Sequence, residues 1–200
     1  MELTEKTFNK LQAELKKWFV GNKRLKENRP VLNTIHFTED GNIEMTNSHV
    51  AIRMKDVHEQ PEHVVPYLDT SAYPSLERIF NGVENGSFQI ELEPKLMLGM
   101  LSPFKLEKVE VIKLSFRKDG IEFKPVNYAG NIIQEAKLTV PLNMNEEFHI
   151  AVNVKYLYDA MMFFKTQKIK IIKMTASSAV RPMMFEHENL QYLVTPVRIG

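Results

Sequence analysis

The chain has 200 residues, 44% of them hydrophobic and 26% charged, with no cysteine and a net charge of +1. A chain of this length buries about 70% of its unfolded surface, enough for one large domain or two small ones. The composition excludes a disulfide framework, thiol catalysis and cysteine-held metal sites, and the near-zero charge argues against coating nucleic acid by bulk electrostatics.

The N-terminal MELTEKTFNK lacks the basic start and apolar centre of a signal peptide, and no apolar run is long enough to span a bilayer. A cytoplasmic protein is expected. Met1 to Thr4 read as a short strand, followed by an amphipathic helix with Phe8, Leu11, Leu15, Trp18 and Phe19 on one face and Lys6, Lys10, Lys16 and Lys17 on the other. Residues 1–30 carry eight Lys or Arg against four Glu. By contrast, residues 56–93 hold Asp56, Glu59, Glu62, Asp69, Glu77, Glu84, Glu91 and Glu93 against Arg78, so one face can meet phosphate while another faces water or protein.

After the polar GNKRLKENRP, VLNTIHFTEDGNIEMTNSHVAIRM reads as two alternating β runs joined around Asp40-Gly41. Residues 56–74, with Pro61, Pro66 and Pro74, read as a connector holding at most one short strand. Asn81-Gly82 and Asn85-Gly86 then punctuate the chain, which sets a domain boundary near 84.

An internal repeat follows. FQIELEPKLMLGML (88–101) and FHIAVNVKYLYDAM (148–161) align without gaps at an offset of 60, matching Phe88 with Phe148, Ile90 with Ile150, Lys95 with Lys155 and Leu98 with Tyr158. Each copy is a strand running into an apolar helix. Strands come after each helix: VEVIKLSF and IEFKPV around Asp119-Gly120 in the first copy, KIKIIKM, PMMFEH and LQYLVTPVRI in the second. The opening segment has the same order, so the chain reads as three strand-helix-strands modules. Such a module leaves open sheet edges and should associate with its neighbours. The expected fold is α+β: repeated strand-helix-strands modules with helices on one face of antiparallel sheets, divided as 1–84 and 85–200.

Chemistry is sparse. Ser48 and His49 are adjacent, so on a strand their side chains diverge, and no G-x-S-x-G elbow surrounds the serine. His58 and His63 with Glu59 and Glu62 form a loose cluster that reads as solvated surface rather than a metal site. No phosphate-binding glycine motif occurs. No catalytic residue, metal or cofactor is expected, and the methionines at 97, 100, 161, 162, 183 and 184 read as core.

Three segments carry a family resemblance. IAVNVKYLYDAMMFFKTQKIKIIKM and the terminal QYLVTPVRIG resemble the closing half of the bacterial DNA polymerase III beta sliding clamp, with its N-V-x-Y-L helix start and its P-V/M-R-L/I ending. RPVLNTIHFTEDGNIEMTNSHVAIRM resembles that family's middle domain, where an R-x-x-L-N strand leads to a T-D-G-H-R-L-A turn. AYPSLERIF resembles its F-P-D-Y-x-R-V-I linker.

The resemblance implies a DNA-clamp-like fold and a shortened clamp, phage or prophage encoded, that is a non-enzymatic processivity factor. Its client-peptide groove would use Leu32, Thr46, His49, Val50, Ala51, Pro74, Ile79, Leu193, Thr195, Val197 and Arg198. Asn47-Ser48 stand where the family has Asp-Gly, Val50-Ala51 where it has Arg-Leu, and Thr195 where it has an apolar residue. Ala51 would widen the slot and Thr195 add a polar edge. DNA-facing candidates are Lys10, Lys16, Lys17, Lys23, Arg24, Lys95, Lys105, Lys155 and Lys165. Implied partners are double-stranded DNA bound without sequence reading, a DNA polymerase or other clamp-binding protein, a clamp loader and, in a ring, further copies of the chain, with no membrane. The alternative is a mimic that binds clamp partners or a full-length clamp without encircling DNA.

Overall fold

The computed structural model describes residues 5–19, 28–66, 73–132 and 147–200. The expected strand Met1 to Thr4 and the candidates Lys23 and Arg24 lie outside them. The chain folds as two units, Met1–Arg78 with Glu186–Leu193, and Ile79–Phe185 with Val194–Gly200. It is an α+β protein with antiparallel pairing throughout the strand pairs in register below.

In the first unit, helix α1 (Glu5–Phe19) opens on an acidic residue and closes on Lys16 and Lys17, which suits the helix dipole at both ends. Leu11 and Leu15, one turn apart, are buried, and the Phe8 ring lies 6.3 Å from Phe37. Pro30–Asn33 form a 3₁₀ turn that buries Leu32, not the start of a strand as the alternation suggested. Pro30, with its fixed φ and missing N–H, favours a first helical position, and the Leu32 N–H is already engaged by the Arg29 carbonyl at 3.1 Å. Pairing begins only with β1 (Ile35–Phe37), followed by β2 (Ile43–Thr46), β3 (Val50–Met54) and β4 (His63–Val65). The strand order is β4-β1-β2-β3, with β11 (Leu190–Val194) next to β3. The Lys55 N–H donates to the Asn189 carbonyl at 2.9 Å just beyond these two strands.

The expected Asp40-Gly41 hairpin is present. Gly41 has φ +79°, and a Cβ there would stand 2.7 Å from the His58 carbonyl oxygen, so only glycine fits. Cross-strand partners share a face. Phe37, Ile43 and Met54 therefore line up with Met45 and Ile52 on the face that Phe8 reaches, while His36, Glu44 and Arg53 form a row on the opposite face.

The second unit contains the repeat. Helix α2 (most of Glu77–Glu84) precedes β5 (Phe88–Leu92), α3 (Pro94–Leu106), β6 (Val111–Arg117), β7 (Gly120–Val126), β8 (Phe148–Asn153), α4 (Val154–Thr166), β9 (Ile172–Ala176) and β10 (Met183–His187). Asn81-Gly82 does not interrupt the chain but lies inside α2, because Phe80 and Val83, three residues apart, are both buried and hold the helix through it. Gly86 is the glycine that packing demands: a Cβ there would meet the Ala176 carbonyl at 2.5 Å.

Strands exchange between the copies. β5 pairs with β9 and β8 with β6, both antiparallel. Phe88 stands opposite Ala176 and Phe148 opposite Phe116, so adding 60 to one partner (88 to 148) and subtracting 60 from the other (176 to 116) turns one pairing into the other. The two copies therefore pair reciprocally in one register. α3 and α4 are each 13 residues long, and they pack against each other. Both end alike, with Lys108 at φ 58° and Lys168 at φ 63°. The Val109 and Ile169 N–H groups reach back to the Phe104 and Phe164 carbonyls at 2.9 and 3.2 Å, a Schellman cap in each copy. The methionines at 97, 100, 161, 183 and 184 are buried, as core residues should be, whereas Met162 is half-buried.

Candidate functional site

The candidate groove residues divide between the units. Leu32, Thr46, His49, Val50, Ala51, Pro74 and Leu193 belong to the first, and Ile79, Thr195, Val197 and Arg198 to the second.

In the first unit, Thr46 to Val50 form a tight turn that breaks the expected second β run into β2 and β3. The Asn47 Oδ1 accepts from the His49 N–H at 2.9 Å and the Val50 N–H at 3.0 Å. Thr46 Oγ1 donates to the Val50 carbonyl at 2.8 Å and accepts from the Ser48 N–H at 3.1 Å. Ser48 takes φ 74°, so Ser48 and His49 sit in a turn, not on a strand. Arg29 Nη1 donates to Ser48 Oγ at 3.2 Å. Side-chain bonds thus close a loop whose left-handed position is held by a serine.

Strand alternation sorts the candidates. Thr46 pairs with Ala51 on the face that carries Glu44 and Arg53, whereas Val50 shares the apolar face with Ile52 and is 2% exposed. His49 and Pro74 are exposed, and Leu32 and Leu193 are 3% and 2% exposed. Of the first-unit candidates, His49 and Pro74 are thus the ones whose side chains solvent reaches freely.

The face of Thr46 and Ala51 also holds a buried ionic row that the sequence reading did not single out. Arg53 Nε and Nη2 both donate to Glu44 Oε1 at 2.7 Å. His36 Nε2 meets Glu62 Oε1 at 2.8 Å, and His36 Nδ1 lies 3.7 Å from Glu44 Oε2, an ion-pair distance rather than a hydrogen bond. The Tyr73 ring stands 4.4 Å from the His36 ring. Burial opposes charge on His36, but the Glu44 and Glu62 carboxylates outweigh it and raise the pKa above the ordinary 6.5. Burial, with the Glu44 charge, pushes the Tyr73 phenol well above 10. A signal was present in the sequence: Ile-His-Phe, Ile-Glu-Met and Ile-Arg-Met each set one charged residue between two apolar ones.

In the connector, Glu59 and Glu62 are exposed, as a solvated cluster requires, with Glu62 reaching in to His36, while His58 and His63 are half-buried and pack their rings on Phe37 at 5.1 and 4.3 Å. Among the described residues no group of three or more His, Asp or Glu could hold a metal ion.

In the second unit the segment after β11 returns along β8. Pro196 bridges Val152, and the Val197 N–H donates to the Ala151 carbonyl at 2.8 Å. Val197 and Ile199 pack on Val111, Val126 and Ala151, which leaves Arg198 between them exposed. Thr195 is half-buried, and Ile79 is 43% exposed.

The candidate lysines differ in how they are held. Lys95, Lys105, Lys155 and Lys165 are exposed on α3 and α4. Lys155 Nζ pairs with the buried Asp159 at 2.8 Å, and Lys105 Nζ lies 3.6 Å above the Tyr158 ring. Both partners belong to α4, and their equivalents in α3 are Leu98 and Gly99, which can do neither. On α1, Lys16 is exposed, Lys10 is half-buried and Lys17 pairs with Glu14 at 3.3 Å. No helix among the described residues is long and apolar enough to cross a membrane.

Residues 90–198 match the family described as DNA polymerase III beta subunit, C-terminal domain. No curated relative matches the sequence significantly. Among solved structures, the chain is similar to the DNA polymerase sliding clamp of Bacillus subtilis, with TM-score 0.66, 18% identity, and coverage of 87% of this chain and 58% of that one. It is similar to the sliding clamp of Caulobacter crescentus, with TM-score 0.69, 13% identity, and coverage of 96% and 64%. The beta clamp of Helicobacter pylori bound to a DNA ligase peptide gives TM-score 0.63, 12% identity, and coverage of 83% and 57%. The chain thus has the sliding-clamp fold and spans about three fifths of the length of these clamps.

Proposed function

The chain belongs to the family defined by the C-terminal domain of the beta subunit of DNA polymerase III, and from that premise we propose that it is a sliding-clamp-like processivity factor, non-enzymatic, that holds a polymerase or another client protein on DNA. The observation that carries this reading is the pair of reciprocally registered strand-helix-strand copies, which lie within the matched residues except for Phe88 and Gln89. Exposed lysines on α3 and α4 suit loose contacts with phosphates, which position a protein on duplex DNA without reading sequence. A ring of several chains, a clamp loader and a phage-encoded origin belong to the same proposal.

Client binding is assigned to two surfaces, the Thr46 to Ala51 turn with Pro74 and the Ile79 and Thr195 to Arg198 surfaces. An extended peptide would gain affinity from a few apolar anchors, to roughly micromolar strength or about 8 kcal/mol. Of the departures, exposed Ser48 and half-buried Thr195 are placed to tune which peptide is preferred, while Asn47, Val50 and Ala51 are buried.

Retention on nicked circular DNA tests the reading. A clamp stays on the circle and is lost once the circle is cut to a linear form. A chain that captures polymerase-tail peptides but is never retained on circles would be a mimic that competes for clamp partners. His49→Ala and Arg198→Ala, both at exposed positions, should weaken peptide capture; unchanged capture in both would remove the groove assignment. Leu32→Asp or Leu193→Asp would report on folding instead, since both side chains are buried.

A further inference from the structure

The Schellman turns that end α3 and α4 have one backbone and different net charges. The first copy reads KLEKVE over 105–110 and the second KTQKIK over 165–170. Lys105 matches Lys165 and Lys108 matches Lys168, but Glu107 becomes Gln167 and Glu110 becomes Lys170. The first turn therefore sums to zero, two lysines against two glutamates, and the second to +3, three lysines with no acid.

Their surroundings sharpen the difference. Lys105 is drawn over the Tyr158 ring, whereas Lys165, Lys168 and Lys170 are all exposed and have no acidic partner among the described residues. At the other end of the helices, Lys155 is neutralised by Asp159 and Lys95 is separated by one residue from the exposed Glu93. The cap matters because it fixes the chain direction: Lys168 at φ 63° and the Ile169 N–H bonded to the Phe164 carbonyl hold three lysine stems on a short, ordered turn rather than on a loose tail. Three like charges so placed repel one another, and a polyanion relieves that repulsion.

We propose that Lys165, Lys168 and Lys170 form the principal phosphate contact of the second unit with the backbone of duplex DNA, and that the matching turn at Lys105 and Lys108 contributes little. This rests on the DNA reading above and adds Lys168 and Lys170 to it.

The test is the salt dependence of full-chain binding to a short duplex, read as the slope of log affinity against log salt. Each phosphate contact contributes about 0.9 to that slope. Lys165→Gln, Lys168→Gln and Lys170→Gln together should flatten it by about two to three, while Lys105→Gln with Lys108→Gln flattens it by less than about one. Glu107→Gln with Glu110→Lys, which gives the first turn the charges of the second, should steepen it. Equal losses from the two turns, or a triple variant with the slope of the unaltered chain, would overturn the proposal while leaving DNA binding intact. A chain with no salt-dependent duplex binding at all would instead remove the DNA reading, and this proposal with it.

Discussion

Phe88 and Phe148, equivalent residues of the two repeat copies, stack on each other with ring centroids 4.5 Å apart and planes 18° from parallel. Each begins its strand, β5 or β8, and the stack ties the two sheets of the second unit together at their point of pseudo-symmetry. Phe88 is buried and touches Phe116 as well, at 5.1 Å. Phe88→Ala should cost about 3–5 kcal/mol, through lost transfer energy and a residual cavity. Phe148 is half-buried, so Phe148→Ala should cost less. A double-mutant cycle by urea denaturation should give a coupling of about 0.5–1.5 kcal/mol; zero coupling would mean that the rings pack independently.

The His36 row predicts a pH dependence in the first unit. His36 has a folded pKa above its ordinary 6.5, so its stabilising contribution is complete below the unfolded value and is lost as pH rises through the folded one. Stability should therefore fall as pH rises above the ordinary histidine value of about 6.5. Glu62→Gln removes one of the two carboxylates that raise the pKa and should flatten that fall. Denaturation midpoints at several pH values measure it, and identical pH profiles for both proteins would refute the linkage.

Glu44 and Arg53 are 3% and 5% exposed and face each other across β2 and β3. Arg53→Met leaves the Glu44 carboxylate buried without its main partner, which should cost about 3–5 kcal/mol. Thermal melts of the two proteins measure the loss, and equal midpoints would mean that the pair does not hold β2 and β3 together.

Asn47→Ala should loosen the turn between β2 and β3. The substitution leaves the His49 and Val50 N–H groups without their acceptor, a loss of about 2 kcal/mol at about 1 kcal/mol per bond. Hydrogen exchange at those two amides should accelerate more than at β1. Uniform acceleration across the unit would mean that the turn has no local role.

Lys108→Gly should stabilise the second unit by about 0.5–1 kcal/mol, since the position is left-handed and favours a residue without a Cβ. A raised denaturation midpoint is the expected readout.

Several of these features were legible in the sequence. The 60-residue offset between Phe88 and Phe148 carried the whole repeat, because apolar spacing records which residues a strand and a helix must bury. Gly41 marked its hairpin correctly, since a left-handed turn against a carbonyl admits little else. Asn81-Gly82 misled because burial of Phe80 and Val83 outweighs the weak local preference of the pair for a turn. Val31 to Asn33 misled because Pro30 favours a helical turn more than alternation favours a strand.

The candidate site was less legible. The resemblance supplied a set of positions, but a one-dimensional pattern does not say that Val50 turns to the core face while Ala51 turns to the Glu44 face. That follows from register, in which one residue reverses the direction of a side chain. Similarly, Lys105 looks like Lys165 in sequence, and only packing brings the Tyr158 ring against it.

The sequence by itself determined the α+β class, the repeat and the absence of cysteine chemistry, because composition and apolar periodicity are local properties of the chain. Tertiary structure decided what pairs with what. The reciprocal β5-β9 and β6-β8 registers, the meeting of His36 with Glu62 and the placing of Lys105 over the Tyr158 ring all depend on residues far apart in sequence. Short-range hydrogen bonds and Coulomb forces act only once the fold has placed those residues side by side.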